Sequence, residues 1–292
     1  MKRETIYKSE EGRRKFEAHY VEALKKLPFD YSEKKIDTRF GHTNVLIAGP
    51  EDAPPIFVIH GVGANAPIAL TAISKLVASY RVYAPDLIGQ TGRSVEYRPD
   101  IKGNSYGMWL ADVLDGLSID QVDIIGVSYG AFVSLKLAAH APERISKLIL
   151  VVPGGLVDSS PLVAISKVAW PMMKYNLWPT RKNLDHLLNN IFTDPEGWHT
   201  YQSDIFKYVN MDMRKPPLVK KSTMQLFKAP VFVLGADNDI FFPGDEVIEK
   251  AKSVFPNFVT GTLLPNCKHA PPINYQPMNQ KLEEYLNWEK LN

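Results

Sequence analysis

Apolar runs of strand length recur along the chain, and stretches with helical periodicity separate them. Taken in order, the runs are residues 55–60, 81–84, 122–125, 148–152, 231–234 and 259–264. Most of them are apolar at consecutive positions, as expected for strands that helices cover on both faces of a sheet. With two further strands near the N-terminus, this alternation predicts an α/β fold with a mostly parallel central sheet of about eight strands flanked by helices.

The N-terminal part of the chain has a different pattern. Residues 8–27 place apolar side chains three or four positions apart among many charges, which predicts an amphipathic helix. Two runs follow, 35–40 and 43–48, and the glycine between them favours an antiparallel hairpin at the sheet edge. We therefore assign residues 1–34 to an N-terminal helical extension and residues 35–155 to the first part of an α/β core.

The strand-like runs stop between residues 156 and 228, where helix-length stretches rich in Met, Trp and Tyr replace them. This change predicts a helical lobe inserted between two core strands. Most of its apolar side chains are expected to form the lobe's own small core. A few should line a pocket, since Met and Trp suit an apolar ligand, but the sequence does not indicate which ones. Residues 229–292 resume the core pattern.

A glycine-flanked serine lies where one of the predicted strands turns into a helix. The segment GVSYG, residues 126–130, follows the run 122–125 and precedes a helix-length apolar stretch. This G-x-S-x-G pattern in a strand–turn–helix context is typical of a nucleophile elbow, because the close passage of strand and helix requires small residues on either side of the serine. Ser128 is therefore the candidate nucleophile.

A serine hydroxyl is a poor nucleophile at neutral pH, so the hypothesis requires a base and a carboxylate elsewhere in the chain. Asp237 and Asp239 follow the run 231–234, and His269 follows the run 259–264. The carboxyl ends of parallel strands meet at one edge of a sheet, where ligand chemistry gathers. The residues alone leave both aspartates as candidates.

Five segments together carry a family resemblance. They are HGVGAN at 60–65, DLIGQTGRS at 86–94, GVSYG at 126–130, GADNDIFFP at 235–243 and the loop around His269. In this order they resemble the serine α/β-hydrolases, and the inserted lobe at 156–228 corresponds to the helical cap of that family. The resemblance implies a Ser-His-Asp triad that acts through an acyl-enzyme, with no metal or organic cofactor.

The resemblance also assigns roles to single residues. It implies Ser128 as the nucleophile and His269 as the base. The family's acid usually lies four residues before a proline, as Asp239 does before Pro243, so Asp239 is favoured as the acid. Asp237 is then expected to cap a loop or to form a salt bridge.

The same resemblance places the oxyanion hole at the backbone N–H groups of Val62 and Tyr129. His60 is expected to be a structural residue that braces this turn. A competing hypothesis is a dinucleotide site, because the glycines after His60 also match G-x-G-x-x-A and Asp86 follows at a suitable distance. That hypothesis leaves the serine, aspartate and histidine motifs unexplained.

Three further residues receive structural interpretations. The loop 86–94 carries one residue more than the family pattern before Gly92, so its path and the role of Ser94 stay open. Trp109 is expected in the core. Cys267 is expected to be a small buried neighbour of His269 and not a nucleophile.

Composition excludes several classes of function. The 292 residues carry a formal net charge of +2, without the basic excess that nucleic-acid binding needs. The N-terminus lacks the apolar core of a secretory signal, and no run is long enough to span a membrane, so no membrane partner is expected. A single cysteine excludes an internal disulfide and favours a reducing cytoplasm. The oligomeric state cannot be predicted.

The resemblance leaves the substrate open. A serine at the elbow argues against the dehalogenase and epoxide-hydrolase branches, which use aspartate there. The predicted function is a carboxylesterase-like hydrolase for a small or medium apolar acyl compound. The alternatives are a carbon–carbon bond hydrolase or lactonase with the same triad, and a ligand receptor with very slow turnover.

Overall fold

Eight strands form one sheet in the computed structural model, which describes residues 5–291. Residues 1–4 of the predicted extension and residue 292 lie outside the described chain. The strands are β1 (Tyr31–Thr38), β2 (Gly41–Ala48), β3 (Pro55–Ile59), β4 (Arg81–Pro85), β5 (Val122–Val127), β6 (Ile145–Val151), β7 (Val231–Ala236) and β8 (Phe258–Leu264). Their spatial order is β1-β2-β4-β3-β5-β6-β7-β8. All neighbours from β4 onward are parallel, whereas β1–β2 and β2–β4 are antiparallel.

Helices connect the strands and cover both faces of the sheet. They are α1 (Glu10–Lys25), α2 (Ala66–Ala72), α3 (Ser105–Gly116), α4 (Tyr129–His140), α5 (Pro161–Val163), α6 (Trp170–Leu177), α7 (Arg181–Ile191), α8 (His199–Tyr208), α9 (Gly244–Val254), α10 (Gln276–Leu286) and α11 (Trp288–Leu291). A π-helical segment, Ala164–Ala169, joins α5 to α6. Short 3₁₀ turns occupy Ser74–Ala78, Pro142–Arg144 and Lys221–Met224.

Two apolar layers enclose the sheet. On one face, Trp109 of α3 and Phe132 of α4 pack with Val247 of α9. On the other face, Leu70 of α2 and Leu282 of α10 pack against the sheet. These layers and the eight-stranded order confirm the predicted α/β fold. The sheet determines where its carboxyl-end loops meet, and that edge carries the candidate site.

The structure refines the predicted hairpin. The two strands pair from Tyr31↔Ala48 to Thr38↔Gly41, so the turn falls at residues 39–40, before the glycine that suggested it. The first strand also begins inside the range assigned to the N-terminal extension. Only Ile36 of β1 is buried, so this edge strand carries almost no apolar signal in the sequence.

Helices α5 to α8 lie between β6 and β7 in the chain, within the range 156–228 predicted as the cap. The N-terminal helix contacts this insertion as well as the core. Phe16 of α1 packs with Tyr201 and Ile205 of α8, and Tyr208 lies so close to Gly12 that a Cβ there would be 2.7 Å from its own Cβ. No helix within residues 5–291 is long and apolar enough to span a bilayer.

Candidate active site

Ser128 lies in the turn between β5 and α4 with a strained backbone. Its φ of 53° is unusual for a residue with a side chain and is a conformation found preferentially at functional sites. A Cβ on Gly126 would lie 2.7 Å from the Cα of Ala131, and one on Gly130 would lie 2.1 Å from the carbonyl oxygen of Ile59. The two flanking glycines are therefore required by the close passage of backbone segments, which agrees with the steric argument from the sequence.

Three predicted site residues form one hydrogen-bonded array. The Oγ of Ser128 lies 2.9 Å from Nε2 of His269, and Nδ1 of His269 lies 2.8 Å from Oδ2 of Asp239. The carboxylate accepts the Nδ1–H, which leaves Nε2 free to accept the proton of the serine hydroxyl. The array joins the ends of β5, β7 and β8 at the carboxyl edge of the sheet.

The two candidate carboxylates occupy different environments. Asp239 has a fully buried side chain, and its Oδ1 accepts the backbone N–H groups of Phe241 and Phe242 at 2.7 and 3.1 Å. These bonds orient the carboxylate so that Oδ2 faces the histidine. Aromatic rings also limit the motion of His269, because the rings of Phe241 and Phe242 meet it edge-on at 4.8 and 5.4 Å.

The Asp237 carboxylate bonds to the loop that precedes His269, whereas the Asp239 carboxylate bonds to the imidazole. Its carboxylate accepts the backbone N–H groups of Asn266 and Cys267 at 2.7 and 2.8 Å, and the amide of Asn238 at 2.8 Å. Partial burial of this group opposes ionisation, but the hydrogen bonds outweigh it and lower the pKa of Asp237. Asp237 thus caps the loop that delivers His269, in agreement with the role expected for it.

The turn after β3 lies beside the serine. A Cβ on Gly61 would be 3.2 Å from the Cβ of Ser128, so the backbone of this turn approaches the hydroxyl closely. The N–H of Gly63 donates to Oε1 of Gln90 at 3.4 Å, whereas the N–H of Val62 has no acceptor among the described residues. The N–H of Tyr129, at the start of α4, likewise donates to no group of residues 5–291. Both predicted oxyanion donors therefore flank Ser128 with an unused N–H.

His60 connects two loops at the base of the site. Its Nδ1 donates to the carbonyl oxygen of Gly61 at 2.8 Å, and its Nε2 accepts the N–H of Leu87 at 3.0 Å. Burial lowers the pKa of His60, although the Asp86 carboxylate and the Gly61 carbonyl oppose this effect. A neutral, fully engaged imidazole of this kind supports the turn and leaves no nitrogen for a substrate, as the sequence argument expected.

Asp86 is a structural residue and not a ligand-binding one. Its buried carboxylate accepts the Tyr20 hydroxyl at 2.8 Å, the N–H of Ala66 at 2.8 Å, the N–H of Arg93 at 3.1 Å and the Asn44 amide at 3.2 Å. The side chain is fully buried and already accepts four hydrogen bonds, so it is not accessible to a ribose hydroxyl, which removes the observation that favoured a dinucleotide site.

The loop after Asp86 also resolves the question of Ser94. The Ser94 hydroxyl donates to the carbonyl oxygen of Asp86 at 2.7 Å and accepts the N–H of Asn44 at 2.9 Å, so it ties the loop to β2. Gln90, whose contact with the turn at Gly63 the sequence did not predict, lies in the same loop. The extra residue before Gly92 was the one available signal that this loop departs from the family pattern.

The structure agrees with the roles predicted for Trp109 and Cys267. The indole of Trp109 is fully buried and donates to Oγ1 of Thr43 at 2.7 Å. Burial raises the pKa of the Cys267 thiol to about 11, so it is a weak nucleophile at neutral pH. Among residues 5–291, no group of three or more His, Cys, Asp or Glu side chains is arranged to bind a metal ion.

Comparison with known proteins identifies the fold family. A family model described as alpha/beta hydrolase fold matches residues 54–177. The crystal structure of naproxen esterase (carboxylesterase NP) from Bacillus subtilis matches with a TM-score of 0.79 at 22% identity, covering 96% of this chain and 100% of that one. The chain has the α/β-hydrolase fold. This result confirms the resemblance that the motifs suggested.

Two curated relatives align over nearly the whole chain, and a third aligns over less than half of it. A Bacillus subtilis protein named uncharacterized carboxylesterase nap is 26% identical, and the match spans 92% of this chain and 91% of that protein. Carboxylesterase YbfK from the same organism is 23% identical over 95% of each. A 2-hydroxymuconate semialdehyde hydrolase from Pseudomonas putida is 34% identical, but over only 46% of each chain.

Proposed function

We propose that this α/β-hydrolase is a serine esterase that cleaves carboxylic esters of small or medium apolar acids. One observation carries the proposal: Ser128, His269 and Asp239 form a continuous hydrogen-bonded array at the end of the sheet, with distances of 2.9 and 2.8 Å. Two relatives with carboxylesterase names, aligned over more than nine tenths of the chain, support ester chemistry.

In the first step, Oγ of Ser128 attacks the ester carbonyl carbon and Nε2 of His269 takes the hydroxyl proton. Asp239 holds the ring in the tautomer that accepts this proton and stabilises the imidazolium that forms. Because its Oδ1 accepts two backbone N–H groups, the carboxylate stays correctly oriented during the transfer.

The tetrahedral intermediate places a negative oxygen beside the turn after β3. In our proposal the unused N–H groups of Val62 and Tyr129 donate to this oxyanion, and each such donor contributes about 3 kcal/mol of transition-state stabilisation. The imidazolium of His269 then protonates the departing alkoxide. Water, deprotonated by the same imidazole, attacks the acyl-enzyme, releases the acid and restores Ser128.

We propose that residues 156–228, which contain the inserted helices, form a cap that covers the acyl site. α8 supports this role, since Ile205 Cδ1 would lie 3.7 Å from a Cβ on Gly63 of the oxyanion turn. An apolar residue of the cap therefore approaches the turn that would bind the substrate oxygen. Side chains from the cap would favour an apolar acyl group over a charged one.

Labelling with a fluorophosphonate tests the proposal most directly. Intact-mass spectrometry and peptide mapping should show one adduct, on Ser128, and p-nitrophenyl esters of short acids should be hydrolysed. Ser128→Ala is the control and should lose both the adduct and about five orders of magnitude in kcat. An adduct on another residue, or full turnover by the alanine variant, would refute the mechanism. Labelling without turnover would instead support the slow-turnover receptor.

A carbon–carbon bond hydrolase is the second candidate. The observation in its favour is the Pseudomonas putida relative, which shares 34% identity over about half of each chain. Both candidates use the same array, so only substrate tests separate them. The esterase hypothesis expects kcat/KM for p-nitrophenyl butyrate to exceed that for a vinylogous 1,5-diketone acid by at least about a hundredfold, and the opposite preference would select the alternative.

A further inference from the structure

A row of large apolar side chains faces solvent along residues 161–178. Leu162 is 78% exposed, Trp170 58% and Trp178 61%, although all three lie in or next to a helix of the inserted region. We define the exposed apolar stripe as Leu162, Ile165, Trp170, Met173, Leu177 and Trp178, all of which are exposed. Single exposed apolar side chains are ordinary, but a row of six on one helical segment marks an interaction surface.

The helical geometry keeps these side chains on one face. Steps of three or four residues, typical of one face of an α-helix, join Leu162 to Ile165 and Trp170 to Met173 and Leu177, whereas the step from Ile165 to Trp170 is five. Trp178 directly follows the last residue of the helix. That step coincides with the π-helical segment Ala164–Ala169, whose wider turn returns to the same face after about five residues. The other side of the helix is occupied: Pro171 and Tyr175 are buried, and the Tyr175 hydroxyl lies 2.9 Å from Oγ of Ser203.

The charges around the stripe have one sign. Between Asp158 and Asp185 the sequence has no acidic residue, but it has Lys167, Lys174, Arg181 and Lys182. Arg181 pairs with Asp185 at 2.8 Å, whereas no carboxylate among residues 5–291 forms an ion pair with either Lys167 or Lys174. Both of these lysines are exposed and lie within the same helical segment as the stripe.

We propose that the exposed apolar stripe binds the surface of an anionic lipid bilayer, with the helix lying in the plane of the interface. An apolar face that includes Trp and has Lys beside it is the composition of interfacial helices, because the rings enter the headgroup region while the ammonium groups reach lipid phosphates. The expectation of no membrane partner was based on the lack of a spanning segment, and a helix that lies on the surface needs none.

Charge favours this occupant over a second copy of the chain. A symmetric dimer through the stripe would bring the uncompensated Lys167 and Lys174 of two copies together, with no carboxylate in either segment to neutralise them. Anionic headgroups supply the missing negative charge. The inference is independent of the proposed esterase function, because binding to vesicles is measured without turnover.

Flotation with vesicles tests the proposal. The full chain is mixed with vesicles of phosphatidylcholine alone or of phosphatidylcholine with 30% phosphatidylglycerol, and the bound fraction gives a partition coefficient. We expect binding to the anionic vesicles with a blue shift of tryptophan fluorescence. Leu162→Gln should lower the partition coefficient by about tenfold. Lys167→Gln with Lys174→Gln should lower it by about fivefold per lysine on anionic vesicles only.

The chain offers a matched control. Leu226 is also 78% exposed but lies outside the stripe, so Leu226→Gln should leave vesicle binding unchanged. Absence of binding by the wild-type chain, or equal loss in Leu162→Gln and Leu226→Gln, would overturn the proposal. A wild-type dimer in analytical ultracentrifugation that Leu162→Gln dissociates, without vesicle binding, would assign the stripe to self-association instead.

Discussion

The carboxyl edge of the sheet and the inserted helices differ in how completely their side chains are surrounded by partners. At the sheet edge, Asp239 and His269 each have hydrogen-bond partners that orient them, and aromatic rings fill the space around the imidazole. In the insertion, the helical segment at residues 161–177 buries only a few side chains and exposes a row of apolar ones.

The physical reason is the number of neighbours that each element has. A central strand is bonded on both sides and covered on both faces, so the loops at its end start from fixed positions. A helix laid over the outside of a core can bury one side only. We infer that side chains that need fixed positions, such as Asp239 and His269, lie at the sheet edge, whereas the insertion makes contacts whose geometry can vary.

The largest expected effect lies within the sheet edge itself. Asp239→Asn should lower kcat by about four orders of magnitude, because an amide favours the wrong histidine tautomer. Asp237→Asn is the matched control, two residues away, and should cost far less since it removes only loop contacts. Ester hydrolysis by both variants, with circular dichroism to verify folding, gives the comparison. A larger loss of kcat for Asp237→Asn than for Asp239→Asn would show that Asp239 is not the acid of the array.

A second experiment compares stability between the two regions. Leu150 of β6 is 0% exposed and Leu188 of α7 is 1% exposed, so alanine at either position removes an equally buried side chain. Leu150→Ala should lower the free energy of unfolding by about 3 to 5 kcal/mol. Leu188→Ala should cost about 1 to 2 kcal/mol in global unfolding, because the insertion can open locally.

Urea unfolding measures the global loss, and limited proteolysis locates local opening. Leu188→Ala should be cleaved faster within the insertion, whereas the core variant should show no preference for that region. Equal losses of global stability, with no change in cleavage, would show that core and insertion unfold as one cooperative unit. The insertion would then not open locally.

The smallest expected effect is a dependence of stability on pH that arises from His60, which supports the turn after β3. Burial lowers the pKa of His60 in the folded state, so above about pH 6.5 the imidazole is neutral in both states. Below that pH the unfolded chain takes up a proton that the folded protein resists. Stability should therefore fall as pH drops below about 6.5, by up to about 1.4 kcal/mol per pH unit.

Urea unfolding at pH 5.5, 6.5 and 7.5 measures this slope. His60→Gln should remove its share of the slope, while His186→Gln, at an exposed position, should retain the wild-type behaviour. If both variants keep the same slope, His60 does not contribute to the pH dependence and its bracing role loses this support.

Much of the site could be predicted because its residues follow apolar, strand-length runs and lie in glycine- or proline-containing turns. The glycines around Ser128 follow from steric contact between adjacent backbone segments, and the apolar runs indicate which strands end near each other. The order of the motifs along the chain then indicated His269 as the base for Ser128 and left two aspartates as candidates for the acid. The choice between Asp237 and Asp239 needed the family resemblance, since two carboxylates in one loop have the same local sequence context.

The sequence by itself determined the α/β fold, the buried strands and the segments that meet at the sheet edge, because strand burial and tight turns leave local signals. Only the tertiary structure decided which oxygen of Asp239 faces His269, that Asp86 is buried and bonded to Tyr20 and Asn44, and that the helical segment at 161–177 turns its apolar side to solvent. These features depend on partners far apart in the chain, and an apolar stripe has the same periodicity whether it faces a core or water.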